Sequence, residues 1–337
     1  MVLLKKIERQ GRKSLSGLLC AVFTSGRDTQ LPSDPSRILV IRTDNRLGNL
    51  VLLEPLLRSI LERFPEADLE ILASDVFSEL LESQGYSVIG VDKKGQIRNP
   101  WKFVQLVRGL RKSSYDVAID AAHPHSFSLS GAVSAAMSGS NCRISTSTGK
   151  NNDGWYTHTV PVPHLEWHES RALHSLGSVW DRWPAWSPPQ LMCRNSEKRE
   201  AVGLHVGASG IKKYPQDLME KLVEMISGRI HLELYWGSRE EKDTAEYLGR
   251  KYNAEVMPEL TIIEMLDRIA GLKVFVSADN GPMHVASALS VPVIALFRVD
   301  NRERFAPLSD GSEVLYAPEG ADPAEVIKII EKRLDYP

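Results

Sequence analysis

The sequence is poor in several features that define common protein classes. Its three cysteines, Cys20, Cys142 and Cys193, lie far apart and form no CxxC pair, which argues against a disulfide framework or a thiolate metal site and fits a reducing cytosol. No apolar run approaches the roughly 20 residues that a bilayer-spanning helix needs. The formal net charge of −2 excludes a globally basic nucleic-acid-binding protein.

What the sequence does have is a regular alternation of strand and helix patterns, among them a run of small residues that predicts a helix at 129–137. Its 337 residues, 42% of them hydrophobic and 25% charged, suffice for two soluble domains. The alternation predicts an α/β fold in which two Rossmann-like domains, each a doubly wound parallel sheet, face a central cleft. We expect a leader at 1–36, an N-terminal domain at 37–183, a linker at 184–200 and a C-terminal domain at 201–337.

The predicted leader is basic. Five cationic residues precede a short apolar run; they are Lys5, Lys6, Arg9, Arg12 and Lys13. We interpret this segment as an amphipathic contact with the anionic inner leaflet of a membrane. A solvated leader and a signal peptide are the alternatives, although no convincing small-x-small cleavage site follows.

The stretch 274–297 has the pattern of a ligand-binding junction. It reads as a buried strand, a tight turn, a short helix opened by Gly281 and Pro282, and a second buried strand. Such a junction directs free backbone N–H groups and the positive end of a helix dipole at a ligand. Asp279, Asn280 and His284 fall there. Asp279 as a plain helix cap and His284 as a core histidine are the structural alternatives.

Three other loops follow predicted strands, where open α/β sheets bind ligands. The loop 43–49 precedes a helix predicted at 50–64. The loop 205–215 combines glycines and Ser209 with Lys212 and Lys213, a pattern suited to phosphate. In the loop 236–242, Glu240 and Glu241 are suited to ribose hydroxyls, although acidic residues in a first helical turn are common anyway. Together these loops predict a nucleotide-sugar site.

Two further patterns bear on the fold and on metals. Thr261 and Glu264 form a capping box that predicts a helix at 262–270. His164 and His168 are four residues apart but lack the HExxH arrangement, so no zinc site is predicted.

The chain resembles the lipopolysaccharide heptosyltransferase family, glycosyltransferase family 9, over roughly residues 37–318. The resemblance is carried by the order of three segments, RTDNRLGNLVLLEPLL (42–57), GAS…KKYP (207–215) and DNGPMH (279–284). It implies a GT-B fold with an acceptor-binding N-terminal domain and a donor-binding C-terminal domain. It also implies inverting transfer of a heptose from an ADP-sugar, with no metal or other cofactor.

The resemblance also implies roles for individual residues. Lys212 matches a lysine that contacts the diphosphate, and Ser209 falls in the neighbouring phosphate loop. Glu240 or Glu241 falls where the ribose is held, and Leu260 where an apolar side chain packs on adenine. Asp279 matches the aspartate that binds the transferred sugar. The same donor motif is completed by Asn280, Gly281 and His284.

One departure from the family pattern concerns the catalytic base. The family's proposed base is an aspartate after glycine, whereas this chain has Gly48-Asn49, and an amide cannot accept the acceptor's proton. We therefore predict that Asp44 has taken the base role, or that activity is lost or altered. Arg298 replaces a usual glycine. It is grouped with the predicted acceptor or cleft residues Arg46, His123 and His125.

The sequence thus predicts an inverting glycosyltransferase whose partners are an ADP-sugar and a glycolipid or glycan acceptor, with no nucleic acid. It would be cytoplasmic and peripheral on the inner membrane through its leader. The main alternative, motivated by Asn49, is a catalytically silent binding protein on the same fold. A nucleotide-sugar epimerase or dehydrogenase is weaker, because the loop 43–49 has a single glycine and no GxGxxG fingerprint.

Overall fold

The computed structural model describes residues 29–92, 95, 98–148 and 153–334, so nearly all of the predicted leader lies outside the described residues. The described chain divides into two compact units. The first contains residues 29–45, 56–165 and 172–186, and the second contains 46–55, 166–171 and 187–334. The segments 46–55 and 166–171 thus belong to the second unit, although both lie within the predicted N-terminal domain.

The first unit is built on a six-stranded parallel sheet in the order β3-β2-β1-β4-β5-β6. Its strands are β1 (Arg37–Arg42), β2 (Asp68–Ser74), β3 (Ser87–Val91), β4 (Val117–Asp120), β5 (Cys142–Thr146) and β6 (His158–Val160). The α-helices up to residue 174 are α1 (Leu47–Arg63), α2 (Ser78–Ser83), α3 (Pro100–Ser113), α4 (Leu129–Met137) and α5 (Glu169–His174). Short 3₁₀ turns occupy Asp75–Phe77, Asp153–Trp155 and Ser175–Val179.

The second unit contains a second six-stranded parallel sheet, in the order β12-β11-β10-β7-β8-β9. Its strands are β7 (Ala201–His205), β8 (His231–Tyr235), β9 (Glu255–Val256), β10 (Val274–Ala278), β11 (Val293–Phe297) and β12 (Glu313–Tyr316). Its helices after residue 187 are α6 (Gln216–Ser227), α7 (Arg239–Tyr252), α8 (Ile262–Ala270), α9 (Gly281–Ala288), α10 (Arg302–Phe305) and α11 (Pro323–Arg333), with a 3₁₀ turn at Gly210–Lys212.

Strand composition explains both sheets. Every residue of β7, β10 and β11 is buried, and so are the last five residues of β1. Parallel strands are covered by helices on both faces and therefore read as continuous apolar runs such as VFVSA and VIALF. The predicted fold class, two doubly wound parallel sheets, is confirmed. No helix among the described residues is both long and apolar enough to cross a bilayer.

Several predicted elements agree closely with the structure, and others differ. The predicted helices 129–137 and 262–270 have their predicted bounds, and the Thr261–Glu264 capping box is present with both of its hydrogen bonds. The helix predicted at 50–64 instead begins at Leu47, so Gly48 and Asn49 lie in its first turn and not in a loop. The sequence pattern missed the short strands β6, β9 and β12, and it gave no strand at β5. β6, β9 and β12 are edge strands of 3, 2 and 4 residues, whereas β5 is an internal strand of 5 residues between β4 and β6.

A buried carboxylate links the strands and helices at the β8 side of the second sheet. Glu233 is fully buried on β8 and accepts hydrogen bonds from Arg199 Nε (3.2 Å), Arg268 Nε (3.1 Å) and the Tyr235 hydroxyl (2.7 Å). Because a buried charge is tolerated only when it is paired and hydrogen-bonded, this group holds α8 and residue 199 against the sheet.

We predict that Glu233→Ala lowers the free energy of unfolding of the protein by about 3 kcal/mol, because two guanidinium groups lose their shared buried partner. Urea denaturation followed by circular dichroism measures the change. The control is Glu200→Ala, which removes an exposed partner of Lys273 and should leave the free energy of unfolding within experimental error. Equal effects of the two substitutions would contradict this assignment.

Candidate functional site

Asp279 lies one residue beyond the carboxyl end of β10 and is the centre of a polar cluster in the second unit. Its Oδ2 atom lies 2.5 Å from Lys212 Nζ and accepts a hydrogen bond from Asn301 Nδ2 at 2.8 Å. Only 7% of Asp279 is exposed, so its carboxylate depends on these two partners. Lys212 ends the 3₁₀ turn Gly210–Lys212, and Asn301 precedes α10.

His284 faces the second carboxylate oxygen of Asp279. Its Nε2 atom lies 4.0 Å from Asp279 Oδ1, and its ring meets the Phe305 ring edge-on with centroids 6.2 Å apart. Burial lowers the pKa of His284 to about 4, with Asp279 opposing and Lys212 adding to that shift. The imidazole is therefore neutral at pH 7, so Lys212 supplies the positive charge next to Asp279. Lys212 Nζ also lies over the Phe305 ring, 5.7 Å from its centroid.

Asn280, and not Asp279, caps helix α9. Its Oδ1 atom accepts from the backbone N–H of Met283 (3.1 Å) and from the hydroxyl of Ser277 (2.9 Å). Its Nδ2 group donates to the carbonyl of Gly207 at 2.8 Å and lies 3.1 Å from His205 Nδ1. The cap thus ties the loop after β7 to the start of α9, which leaves the Asp279 carboxylate available for Lys212 and Asn301.

The structure distinguishes the two candidate glutamates at the start of α7. Glu241 Oε2 accepts from the backbone N–H of Gly237 at 2.7 Å, and its carboxylate occupies the space that a Cβ atom on Gly207 would need. It therefore lies over the glycine loops that follow β7 and β8. Glu240 is 80% exposed and pairs with Lys213 at 2.8 Å. Both glutamates therefore contact the loop 205–215, Glu241 at its glycine Gly207 and Glu240 at the side chain of Lys213.

The first turns of α1 and α9 approach each other through glycine. A Cβ atom on Gly48 would lie 2.7 Å from His284 Cδ2, and one on Gly281 would lie 3.0 Å from Leu47 Cβ. Gly281 does not have a left-handed backbone, so glycine serves the close approach of the two helices at this junction and not backbone freedom. The amino-terminal ends of two helices, with their partial positive charges, therefore meet beside His284.

Asp44 belongs to a polar cluster in the first unit. Its Oδ2 atom lies 2.7 Å from Nε of the buried Arg42, whose Nη1 donates to the carbonyl of Ala121 at 2.5 Å. Nearby, the carboxylate of Asp120 accepts from the Tyr156 hydroxyl at 2.6 Å. Burial raises the pKa of Asp120 to about 6, against the hydrogen bonds and the charge of Arg42. The sequence pattern did not identify Asp120 or Tyr156.

The remaining predicted site residues are divided between the two units. Arg298 donates from Nε to the carbonyl of Pro318 (2.7 Å) and from Nη1 to that of Lys213 (2.8 Å), so it ties two loops of the second unit together. Leu260 is half-buried before α8. In the first unit His123 is exposed and His125 half-buried, and in the second unit Arg46 is exposed and Asn49 half-buried.

Two groups of side chains contain residue types that can bind a metal. His168 is buried and bonded, through Nε2 to the carbonyl of Ala306 (3.1 Å) and through Nδ1 to the Ser170 hydroxyl (2.8 Å), so neither ring nitrogen is offered to a metal. Among the described residues, His231, Glu233 and Glu255 place possible ligand atoms within 4.8 Å of one another. Two arginines already share the Glu233 carboxylate, and their charges oppose a cation there.

Comparison with known proteins places this fold in a class. Two parallel six-stranded sheets with covering helices are the architecture of GT-B glycosyltransferases, and the structure of E. coli heptosyltransferase WaaC with ADP superposes with a TM-score of 0.74 at 18% identity, covering 88% of this chain and 99% of that one. WaaC with ADP-2-deoxy-2-fluoro heptose gives a TM-score of 0.69 at 19% identity, covering 88% of this chain and 99% of that one.

The chain belongs to glycosyltransferase family 9 (heptosyltransferase), whose sequence profile matches residues 157–334, just over half of the chain. Lipopolysaccharide heptosyltransferase 1 of Pseudomonas aeruginosa is 34% identical over 102 residues, which is 30% of this chain. The chain aligns with 29% of that relative's length.

We predict that Gly48→Ala lowers the free energy of unfolding by about 1 to 3 kcal/mol, because the new methyl group has to displace the His284 ring or separate the two helix ends. Thermal and urea denaturation measure the change. Gly109→Ala, inside α3 and with no atom within 4 Å of its Cβ position, is the control and should stabilise the protein by about 0.5 to 1 kcal/mol. If both substitutions stabilise, the close approach of α1 and α9 is not as described.

Proposed function

We propose that the protein transfers a heptose, or a related sugar, from an ADP-sugar to a hydroxyl of a lipopolysaccharide core or another glycan, with inversion at the anomeric carbon. The observation that carries the proposal is the Lys212–Asp279 pair with Asn301, 2.5 and 2.8 Å from the same carboxylate oxygen. A cation suited to phosphate and a carboxylate suited to sugar hydroxyls are adjacent beyond the strands of a GT-B fold. Membership of glycosyltransferase family 9 and the ADP and ADP-fluoroheptose in the WaaC structures support it.

The donor is assigned to the second unit as follows. Lys212 pairs with the diphosphate, assisted by the loop that contains Ser209 and by the amino terminus of α9. The glutamate beside Gly207 and Gly237, Glu241, accepts hydrogen bonds from the ribose hydroxyls, and Leu260 packs on the adenine. Asp279 accepts hydrogen bonds from the transferred sugar. Asn280 and Gly281 act by holding the loops, and the neutral His284 acts as a hydrogen-bonding group.

Donor binding changes the partners of Lys212. In the structure its ammonium group is paired with Asp279. A diphosphate carries more negative charge than one carboxylate and competes for the same ammonium group. Asn301, which donates to the same Oδ2 atom, then keeps Asp279 oriented while Lys212 turns to the phosphate.

The reaction displaces the diphosphate. The acceptor hydroxyl forms a C–O bond to the anomeric carbon from the face opposite the leaving group, and its proton passes to the base. The bond between the anomeric carbon and the diphosphate oxygen breaks, and ADP departs with the electron pair. Lys212 and the backbone N–H groups at the start of α9 stabilise the developing charge. This assigns to protein groups the role that a divalent cation has in other nucleotide-sugar enzymes, so we propose a metal-independent reaction.

The base is assigned to Asp44. Asn49 has no basic oxygen or nitrogen suited to the task, whereas Asp44 offers a carboxylate that Arg42 orients at 2.7 Å. The silent-protein alternative rests on Asn49 alone, and the family relatives named above are enzymes, so it is not favoured. We place the protein in the cytoplasm, peripheral on the inner membrane where a glycolipid acceptor would be presented. Arg46, His123, His125 and Arg298 remain predicted acceptor residues.

We predict that ADP binds the wild-type protein in isothermal titration calorimetry and that Lys212→Ala weakens the affinity by about tenfold or more, because a charge-assisted contact with the diphosphate is lost. Lys213→Ala is the matched control. Its side chain is paired with the exposed Glu240, and its loss should change the affinity by about twofold at most. Absence of ADP binding, or an unchanged affinity in Lys212→Ala, would refute the donor-site assignment.

The base assignment predicts that Asp44→Asn lowers kcat by about 10² to 10⁴ while leaving ADP affinity unchanged, because only proton transfer is affected. Turnover is measured as ADP release with ADP-heptose and a heptose-deficient lipopolysaccharide acceptor. Asn49→Asp is the companion variant. If Asp44→Asn leaves turnover intact while Asn49→Asp raises it, the base is not Asp44.

A further inference from the structure

Helix α3 (Pro100–Ser113) presents an exposed stripe on the first unit. Trp101, Gln105, Arg108 and Lys112 follow one another at intervals of four, three and four residues, which places them on one side of a helix. All four are exposed, and Trp101 is 68% exposed. The opposite side packs on the sheet through Leu110, with Leu106 against the same core. One face of α3 is therefore buried against the sheet, and the opposite face is exposed to solvent.

The charge of this helix is one-sided. Between residues 98 and 113 there are five basic residues and no acidic one, in a chain whose 41 basic and 43 acidic residues nearly balance. The five are Arg98, Lys102, Arg108, Arg111 and Lys112. Lys102 pairs with Asp92 at 3.4 Å and the charge of Arg98 also acts on Asp92, whereas no described carboxylate pairs with Arg108, Arg111 or Lys112. Two of these basic residues, Arg108 and Lys112, lie in the stripe, so the stripe is positively charged and holds no residue that neutralises it.

An exposed aromatic side chain accompanies this charge. Trp101 begins the stripe, whereas Phe103 is turned by roughly 200° from it, toward the side of Leu106 and Leu110. Contact with water alone does not favour an exposed tryptophan on a basic face. Tryptophan and basic residues together are typical of helices that lie at the headgroup level of a bilayer. Anionic headgroups complement the arginines and lysines, and the indole ring fits the boundary with the acyl chains.

We propose that α3 is a docking surface for an anionic lipid bilayer, with the helix lying along the membrane plane. This surface is formed by described residues of the first unit and is separate from the leader expected at 1–36. It does not depend on the proposed donor site, so its test stands whether or not ADP binds. Docking through α3 would hold the first unit at the surface from which a glycolipid acceptor is presented.

The first experiment is co-sedimentation of the full-length protein with vesicles of phosphatidylcholine containing phosphatidylglycerol, compared with phosphatidylcholine alone. Neither vesicle contains a glycolipid, so binding reports on the lipid headgroups. Each basic residue at an anionic surface contributes about a fivefold change in affinity, so Arg108→Gln/Lys112→Gln should weaken binding about tenfold or more. The control, Lys221→Gln/Lys328→Gln, makes the same change of charge on exposed helix positions of the second unit. Equal weakening by both pairs would overturn the proposal.

A second measurement locates the contact, so that a contribution from the leader does not obscure it. Gln105→Cys, in a variant with the three native cysteines replaced by serine, is labelled with nitrobenzoxadiazole and compared with Lys328→Cys. On anionic vesicles the emission at position 105 should shift to the blue and increase, whereas position 328 should not change. A vesicle-bound protein whose position 105 keeps its aqueous emission would show that α3 is not the docking surface.

Discussion

The site in the second unit depends on the burial of one carboxylate. Asp279 directly follows the fully buried strand β10, and a buried charge that lacked partners would strongly destabilise the fold. Lys212 and Asn301 meet this requirement from two different loops, which brings the regions after β7 and β11 together beyond β10. Asn280 takes over the helix cap and leaves Asp279 unencumbered. The contacts that arrange Asp279 for a donor sugar are therefore also the contacts that stabilise its buried charge.

The second constraint is the absence of side chains at two glycines. Gly48 and Gly281 let the first turns of α1 and α9 come together at His284, and a methyl group at either position would lie within about 3 Å of a neighbour. Burial keeps His284 neutral at pH 7, so the positive charge beside Asp279 comes from Lys212 and from the two helix ends. A neutral histidine can donate or accept a hydrogen bond without adding a charge that would compete with the lysine.

The fold was predictable because it rests on local patterns. Apolar runs such as VFVSA, the Thr261–Glu264 cap and the small-residue helix 129–137 each encode their element within a few residues. The start of α1 was not predictable, since Gly48 and Asn49 are poor helix formers and Gly48 lies against residues 281 and 284, far along the chain. Asn301 and Phe305 were missed for the same reason: the Asn301–Asp279 bond spans 22 residues. The rule that ligands bind after the strands of open sheets, applied to β11, would have identified the loop that contains Asn301. It would not have identified which side chain of that loop contacts Asp279.

The start of α1 also bears on the exchange of aspartate for asparagine at position 49. In the first turn of a helix a carboxylate is stabilised by the dipole, whereas an amide gains little from it. Asn49 follows Gly48, which contacts the neutral His284. Because neither Asn49 nor His284 carries a charge, the partial positive charges at the amino-terminal ends of α1 and α9 are available to another anion. In the proposed reaction that anion is the departing diphosphate, and the base is supplied by Asp44 with Arg42 as its partner. In this proposal one group accepts the proton and others stabilise the leaving group. The carboxylate of Asp44 has the cation Arg42 as its partner, and the departing diphosphate has the positive helix ends.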